Sequence, residues 1–263
     1  MDLGLTGKAA LVAAASKGLG KASAMALAAE GARVAICARS PERLEKTAQE
    51  IRDATGAEVV AVPADLSTAA GISDVVAASA ERFGGIDILV NNSGGPALGT
   101  FDGFSDDDWR LGFEVVTLNF VRFIRQVVPY MRQKGWGRVI GIQSTSVKQP
   151  VPGIDLSNGI RPGIAGLAKA IMPDLARDGI TINLVLPGSF LTSRISPGLE
   201  ERTPEERAEI TARFASAATE IPVGRLGDPA ELGDLVAFLA SERAAYITGA
   251  VYQIDGGRIG SNV

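Results

Sequence analysis

The sequence contains no histidine and a single cysteine, Cys37. Without histidine the commonest general base, the commonest zinc ligand and every Ser-His triad are excluded. One cysteine permits neither an intrachain disulfide nor a thiolate cluster, so no metal site is expected. No run approaches the ~20 consecutive apolar residues of a membrane-spanning helix. No basic block is long enough to form a nucleic-acid surface, and 26 basic against 30 acidic residues leave a net charge of −4. Neither nucleic acid nor membrane is therefore an expected partner. Residues 1–8 lack the basic-then-apolar order of a secretory signal, which makes the cytoplasm the expected location.

What is present is a regular alternation. Hydrophobic residues make up 46% and charged residues 21% of the 263 positions, the composition of a globular chain able to bury a full core. Ala9–Ala13 is a short apolar run feeding into Ala14-Ala15-Ser16-Lys17-Gly18-Leu19-Gly20, and an alanine-rich helical stretch then runs to Glu30. Strand, glycine turn and helix is the order that binds phosphate. Unpaired amides and the dipole at the helix start favour an anion, and Gly18 and Gly20 let the backbone approach closely. A tight βα turn with no ligand would look the same from two glycines alone.

The second strand, Arg33–Cys37, ends at Ala38-Arg39, and Ser40-Pro41 supplies an N-cap and first-turn proline for the next helix. An acidic residue at that strand end would take a ribose 2′-hydroxyl. A cation there favours a 2′-phosphate, so Arg39 with Lys17 points to NADP (NADPH) over NAD. Two solvated surface charges are the alternative. Further strands are expected at residues 58–62, 86–90, 137–143, 181–186 and 250–254, with helices at 72–83, 109–133, 164–177 and from an Asp228 cap to Leu239. This predicts a Rossmann-type doubly wound parallel sheet in a three-layer α/β/α single domain over residues 1–263. Residues 189–222 break the alternation, carry Arg194, Arg202, Arg207 and Arg213, and follow strand six on the edge where such folds bind ligands. A lid insertion is one reading and a solvated helical excursion the other.

The chain resembles the short-chain dehydrogenase/reductases, particularly the 3-oxoacyl-acyl-carrier-protein reductase-like branch, over essentially its whole length. The residues that carry the resemblance are the turn Ala14 to Gly20, Asp65-Leu66, Asn91-Asn92-Ser93-Gly94, Pro187-Gly188 with Thr192, Ile247-Thr248-Gly249 and Asp255-Gly256-Gly257. It implies that Ser16, Lys17, Gly18, Leu19 and Gly20 lie under the pyrophosphate, with Asp65 and Leu66 near the adenine. Asn92, Ser93 and Gly94 would follow the cofactor, and Pro187, Gly188 and Thr192 would surround the nicotinamide. Two departures are mild: Ala14 replaces the first glycine of the turn and Ser93 the usual alanine.

The catalytic positions depart further. The family uses Asn, Ser, Tyr and Lys, and Ser144 matches the serine that polarises the carbonyl. Counting from Gly166-Leu167 and Asn183 puts the tyrosine and lysine positions on Ser157 and Arg161, and counting from Trp109 and Pro129 puts the asparagine position on Val116. Asn119 is three residues out of register and is read as a helix-surface or core residue. A serine hydroxyl is far less acidic than a phenol of pKa ~10 and is a poor proton donor alone. Arg161 keeps a charge and five donors for a ribose, carboxylate or phosphate, but does not shuttle protons. Lys148, as a proton donor, and Asp155, as a base, are the ionisable groups nearest in sequence, though each reads more readily as an exposed loop charge.

The expected protein is an NADP-dependent oxidoreductase acting on a small or carrier-bound carbonyl compound. Ser144, Ser157 and Arg161 are its catalytic candidates. The alternative is a non-redox dehydratase or isomerase, or a silent nucleotide-binding subunit. The resemblance also implies a homo-oligomer, dimer or tetramer, packed through helices 109–133 and 155–177.

Overall fold

The computed structural model describes residues 1–199, 202–213 and 219–261. Residues 200–201 and 214–218 of the expected insertion, and the side chain of Arg213, lie outside the described residues. Seven strands form one sheet: β1 (Ala9–Ala13), β2 (Arg33–Ala38), β3 (Val59–Pro63), β4 (Ile88–Asn91), β5 (Gly137–Ile142), β6 (Ile180–Pro187) and β7 (Val251–Ile254). Their order is β3-β2-β1-β4-β5-β6-β7 and every pairing is parallel. The chain winds outward to β3, then returns to start β4 on the other side of β1. Between β1 and β4 the loops leave in opposite directions, which opens a crevice at the carboxyl ends of the strands.

Because both faces are covered, the strands are apolar on both sides: β1, β4 and β5 are buried throughout. Helices α1 (Gly18–Ala29) and α2 (Pro41–Thr55) pack on one face with α8 (Pro229–Ala240), through Leu27, Leu44, Ile51, Leu232 and Val236. On the opposite face α3 (Ala69–Phe83), α5 (Asn119–Lys134) and α6 (Asp155–Arg177) bury Ile72, Phe120, Phe123, Val127 and Ile164. Each such side chain contributes about 1.5–3 kcal/mol relative to exposure. The Cys37 thiol lies in the core, where burial pushes it up to about 12, so it stays protonated and unreactive.

Several element ends differ from the sequence expectation. The helix expected over 109–133 is three pieces: α4 (Asp106–Phe113), a π-helical turn (Glu114–Leu118) and α5. It begins earlier because Ser105 and Asp108 form a capping box. Helix α6 begins at Asp155, the start the resemblance implies and nine positions before the apolar pattern sets in at Ile164, and runs through Pro162. Proline reads as a helix break in sequence, yet here the flanking turns pack on the sheet and carry it through. In the insertion, α7 (Pro204–Arg213) is the helix among the described residues.

Candidate active site

The loops after β1, β2, β3 and β4, with the segment after β6, surround one cleft of about 750 Å³. The first loop is shaped by two backbone constraints. Ala14 is the only described non-glycine residue in the left-handed region, at φ +50°, and it stands where the family has glycine. Gly20 is held closely against it: a Cβ there would lie 2.4 Å from the Ala14 carbonyl oxygen and 2.9 Å from Ala15 Cα. Thr47 on α2 fixes the turn from behind by donating its hydroxyl to the Ser16 carbonyl at 2.9 Å. Lys17 occupies the N-cap of α1, and its side chain makes no cap hydrogen bond. The first-turn N–H groups thus remain available to an anion.

Ser16, Lys17, Gly18, Leu19, Arg39, Asp65, Leu66, Asn92, Ser93, Gly94 and Thr192 all line this cleft. Gly20 sits behind the turn. Pro187 and Gly188 are set back, with Gly188 against Asp255 so closely that a Cβ would come within 2.6 Å of the Asp255 Cβ. Arg43, one turn into α2, joins Arg39 and Lys17 on the lining. Its signal in the sequence was a second cation at helical spacing from Arg39. The Ser67 amide and hydroxyl hold the Asp65 carboxyl below the usual range, at 3.0 and 2.8 Å. A dinucleotide with a 2′-phosphate fits this set: open amides, a close backbone approach and three cations beyond them.

None of the three residues nominated for chemistry is on the lining of this cleft; Arg161 approaches it from behind Gly95, its Nη2 lying 3.2 Å from the position a Cβ on Gly95 would occupy. Ser144 Oγ accepts the Ser146 N–H at 3.1 Å, leaving its own O–H to donate. Ser157 Oγ lies 3.1 Å from Ser146 Oγ and accepts from Arg161 Nε at 3.1 Å. Arg161 Nη1 donates to Gln143 Oε1 at 2.8 Å. Gln143 and Ser146 were missed in the sequence, where small polar residues after a strand carry no distinguishing pattern. Gln143, Ser146, Ser157 and Arg161 are all buried. Burial, and then the nearby charge of Arg194, push the Arg161 guanidinium down to about 10, so it remains a cation at neutral pH.

The other candidates have structural work. Asn119 is a core residue: its amide donates to the Leu66 carbonyl at 2.8 Å and its oxygen accepts from Asn91 at 2.9 Å, tying the β3 loop to β4. Val116 is buried within the π-helical turn. Asp155 accepts from the Phe101 amide at 2.8 Å and clasps the loop after β4. Lys148 is half-buried, and no hydrogen bond or ion pair involving its side chain is found among the described residues. Tyr130, Tyr246 and Tyr252 lie on α5, on an exposed turn and on β7, so no tyrosine replaces the absent phenol.

A parallel doubly wound sheet with a glycine turn at its switch point defines a dinucleotide-binding protein of the Rossmann type. Residues 13–258 match the Enoyl-(Acyl carrier protein) reductase family. The chain is 35% identical over 255 residues to the 3-oxoacyl-[acyl-carrier-protein] reductase FabG of Vibrio cholerae, covering 97% of this chain and 98% of that one. L-sorbose reductase of Gluconobacter frateurii, solved with NADPH and L-sorbose, superposes with a TM-score of 0.90 at 31% identity, covering 99% of this chain and 100% of that one. A variant of actinorhodin polyketide ketoreductase with NADPH superposes at 0.86 with 34% identity, over 95% of this chain and 97% of that one. The chain belongs to the short-chain dehydrogenase/reductase family.

Proposed function

We propose that this protein is an NADPH-dependent oxidoreductase that reduces a carbonyl compound, 3-oxoacyl-like or a small ketone, or oxidises the corresponding alcohol. The observation that carries this reading is a cleft lined by Lys17, Arg39 and Arg43, which Arg161, held by Ser157, approaches from behind Gly95. The chemistry available from bound NADPH is hydride transfer. In that reaction the free Ser144 O–H donates to the substrate oxygen, and the Arg161 cation stabilises negative charge gathering there. Ser157 holds Arg161 by its Nε and does not serve as the acid, so the proton is drawn from solvent. Leu111 lines the cleft and is 59% exposed, which supports an apolar portion of the substrate at its mouth.

The segment 189–222 acts in this proposal as a lid. Arg194 supports it by reaching from beyond β6 to the Gly94 carbonyl at 2.8 Å and the Pro96 carbonyl at 3.4 Å. Homo-oligomerisation as a dimer or tetramer is part of the same reading. The exposed face of α6, with the small residues Pro162, Gly163, Gly166 and Ala170, supports packing against a second copy. The lone reduced thiol of Cys37 is consistent with a cytoplasmic enzyme.

The hydrogen-bonded Ser146–Ser157–Arg161 group contains no tunable acid, and this favours a second reading: a dehydratase or isomerase, or a nucleotide-binding subunit without turnover. Calorimetric titration with NADPH and NADH, followed by NADPH absorbance with a panel of ketones, separates the readings. The proposal expects preferential NADPH binding and ketone-dependent oxidation. Binding without oxidation favours the second reading, and no nucleotide binding overturns both.

A further inference from the structure

Arg161 and Arg194 converge on one glycine. From the position a Cβ on Gly95 would occupy, Arg161 Nη2 lies 3.2 Å away and Arg194 Nη2 3.4 Å away. Arg161 Nε and Nη1 are used by Ser157 and Gln143, and no hydrogen bond from Nη2 is found among the described residues. No carboxylate lies within ion-pair distance of either guanidinium among the described residues. The contrast is Arg138, also buried, which has Glu242 at 3.7 Å, the Ser241 carbonyl at 3.3 Å and the Trp136 ring beneath it. Burying the Arg161 cation without a counter-charge is costly, and the neighbouring charge of Arg194, itself exposed and bonded to the Gly94 and Pro96 carbonyls, adds repulsion.

The two cations also belong to other elements than the phosphate-side cations: Lys17, Arg39 and Arg43 come from the loops after β1 and β2 and from α2, whereas Arg161 is on α6 and Arg194 on the segment after β6. We propose that Arg161 and Arg194 form a carboxylate-binding subsite at the reaction end of the cleft, so that the substrate is an oxo acid rather than a neutral ketone. Arg161 supplies the fixed charge. Arg194, on the surface segment after β6, is held over Gly94 and Pro96 by bonds to their carbonyls at 2.8 and 3.4 Å, and supplies the second fork by exchanging the longer bond for the carboxylate. Planar guanidinium forks match a carboxylate, and together they read its charge and orientation. The inference rests on the reading of the cleft as a cofactor and substrate site.

The test pairs acetoacetate, 2-oxobutyrate and levulinate each with its own methyl ester, titrated by calorimetry into the NADPH-loaded protein and its Arg194→Gln variant. At least one acid should bind about ten-fold more tightly than its ester, and Arg194→Gln should remove most of that preference. Equal affinities within every pair, or a preference that survives Arg194→Gln in a variant of native melting temperature, overturns the subsite. If the native protein fails to bind NADPH, the cofactor reading fails separately. The acid-over-ester comparison is then made on the nucleotide-free protein, with the same two outcomes.

Discussion

Replacing Arg161 with methionine should make the protein more stable while removing its function. Burial and the neighbouring Arg194 lower the guanidinium from its ordinary value to about 10. A displacement of that size corresponds to about 3 kcal/mol spent holding the cation in the folded state at neutral pH. Methionine fills a similar volume without charge. Against the gain stand two abandoned acceptors: Gln143 Oε1 loses a 2.8 Å bond and Ser157 Oγ a 3.1 Å bond, at about 1 kcal/mol each. The net is about 1 kcal/mol in favour of Arg161→Met, or about 2–4 °C in melting temperature for a chain of this size. Urea unfolding at pH 7 measures it. The native protein carries a further signature: the unfolded chain holds the Arg161 proton more tightly, so native stability should rise as pH climbs through about 10, and the variant should lack that rise. Destabilisation of Arg161→Met by more than about 2 kcal/mol would refute the argument, because the cation would then be holding the fold together.

Three further outcomes follow from the same geometry. Ala14 in the left-handed region costs about 1–2 kcal/mol, partly offset by the lower entropy of an unfolded alanine, so Ala14→Gly should stabilise by about 0.5–1 kcal/mol in thermal unfolding. Arg39→Asp should shift nucleotide preference from NADPH toward NADH by at least about ten-fold in calorimetry, since it removes a 2′-phosphate partner and adds a 2′-hydroxyl acceptor. Asp155→Ala should cost about 1 kcal/mol by releasing the Phe101 amide and an acid in the first turn of α6, with NADPH affinity unchanged.

The sheet was legible because its cues are local. Apolar runs such as Ala9–Ala13 and caps such as Ser40-Pro41 and Asp228-Pro229 mark strands and helix starts without reference to tertiary structure. Where a tertiary force outweighs the local cue, periodicity alone falls short, as at Pro162, beyond which the apolar pattern of α6 starts, and at the π-helical turn before α5. The relation of Ser157 to Arg161 was readable because four residues span one helical turn. The partners of that pair were not. Gln143 meets Arg161 from another element, Arg194 reaches Gly94 across 100 residues, and Asn119 joins Asn91 and Leu66 through side-chain amides. Such contacts are set by the folded backbone and leave no periodicity in the chain. Ala14 stands out in the sequence as an alanine in place of the turn's first glycine, but its left-handed conformation belongs to the turn and not to the residue type.

The central claim is that Ser157 and Arg161 belong to a working reductase site rather than to the remnant of one. The most direct measurement is NADPH oxidation, followed by absorbance with the oxo-acid panel, for the native protein and for Ser157→Tyr combined with Arg161→Lys. The account predicts turnover by the native protein and a fall in the double variant, because the substituted pair loses the Arg161 fork and its bond to Gln143. A native protein that binds NADPH without oxidising it, alongside a double variant that gains activity, would contradict the account.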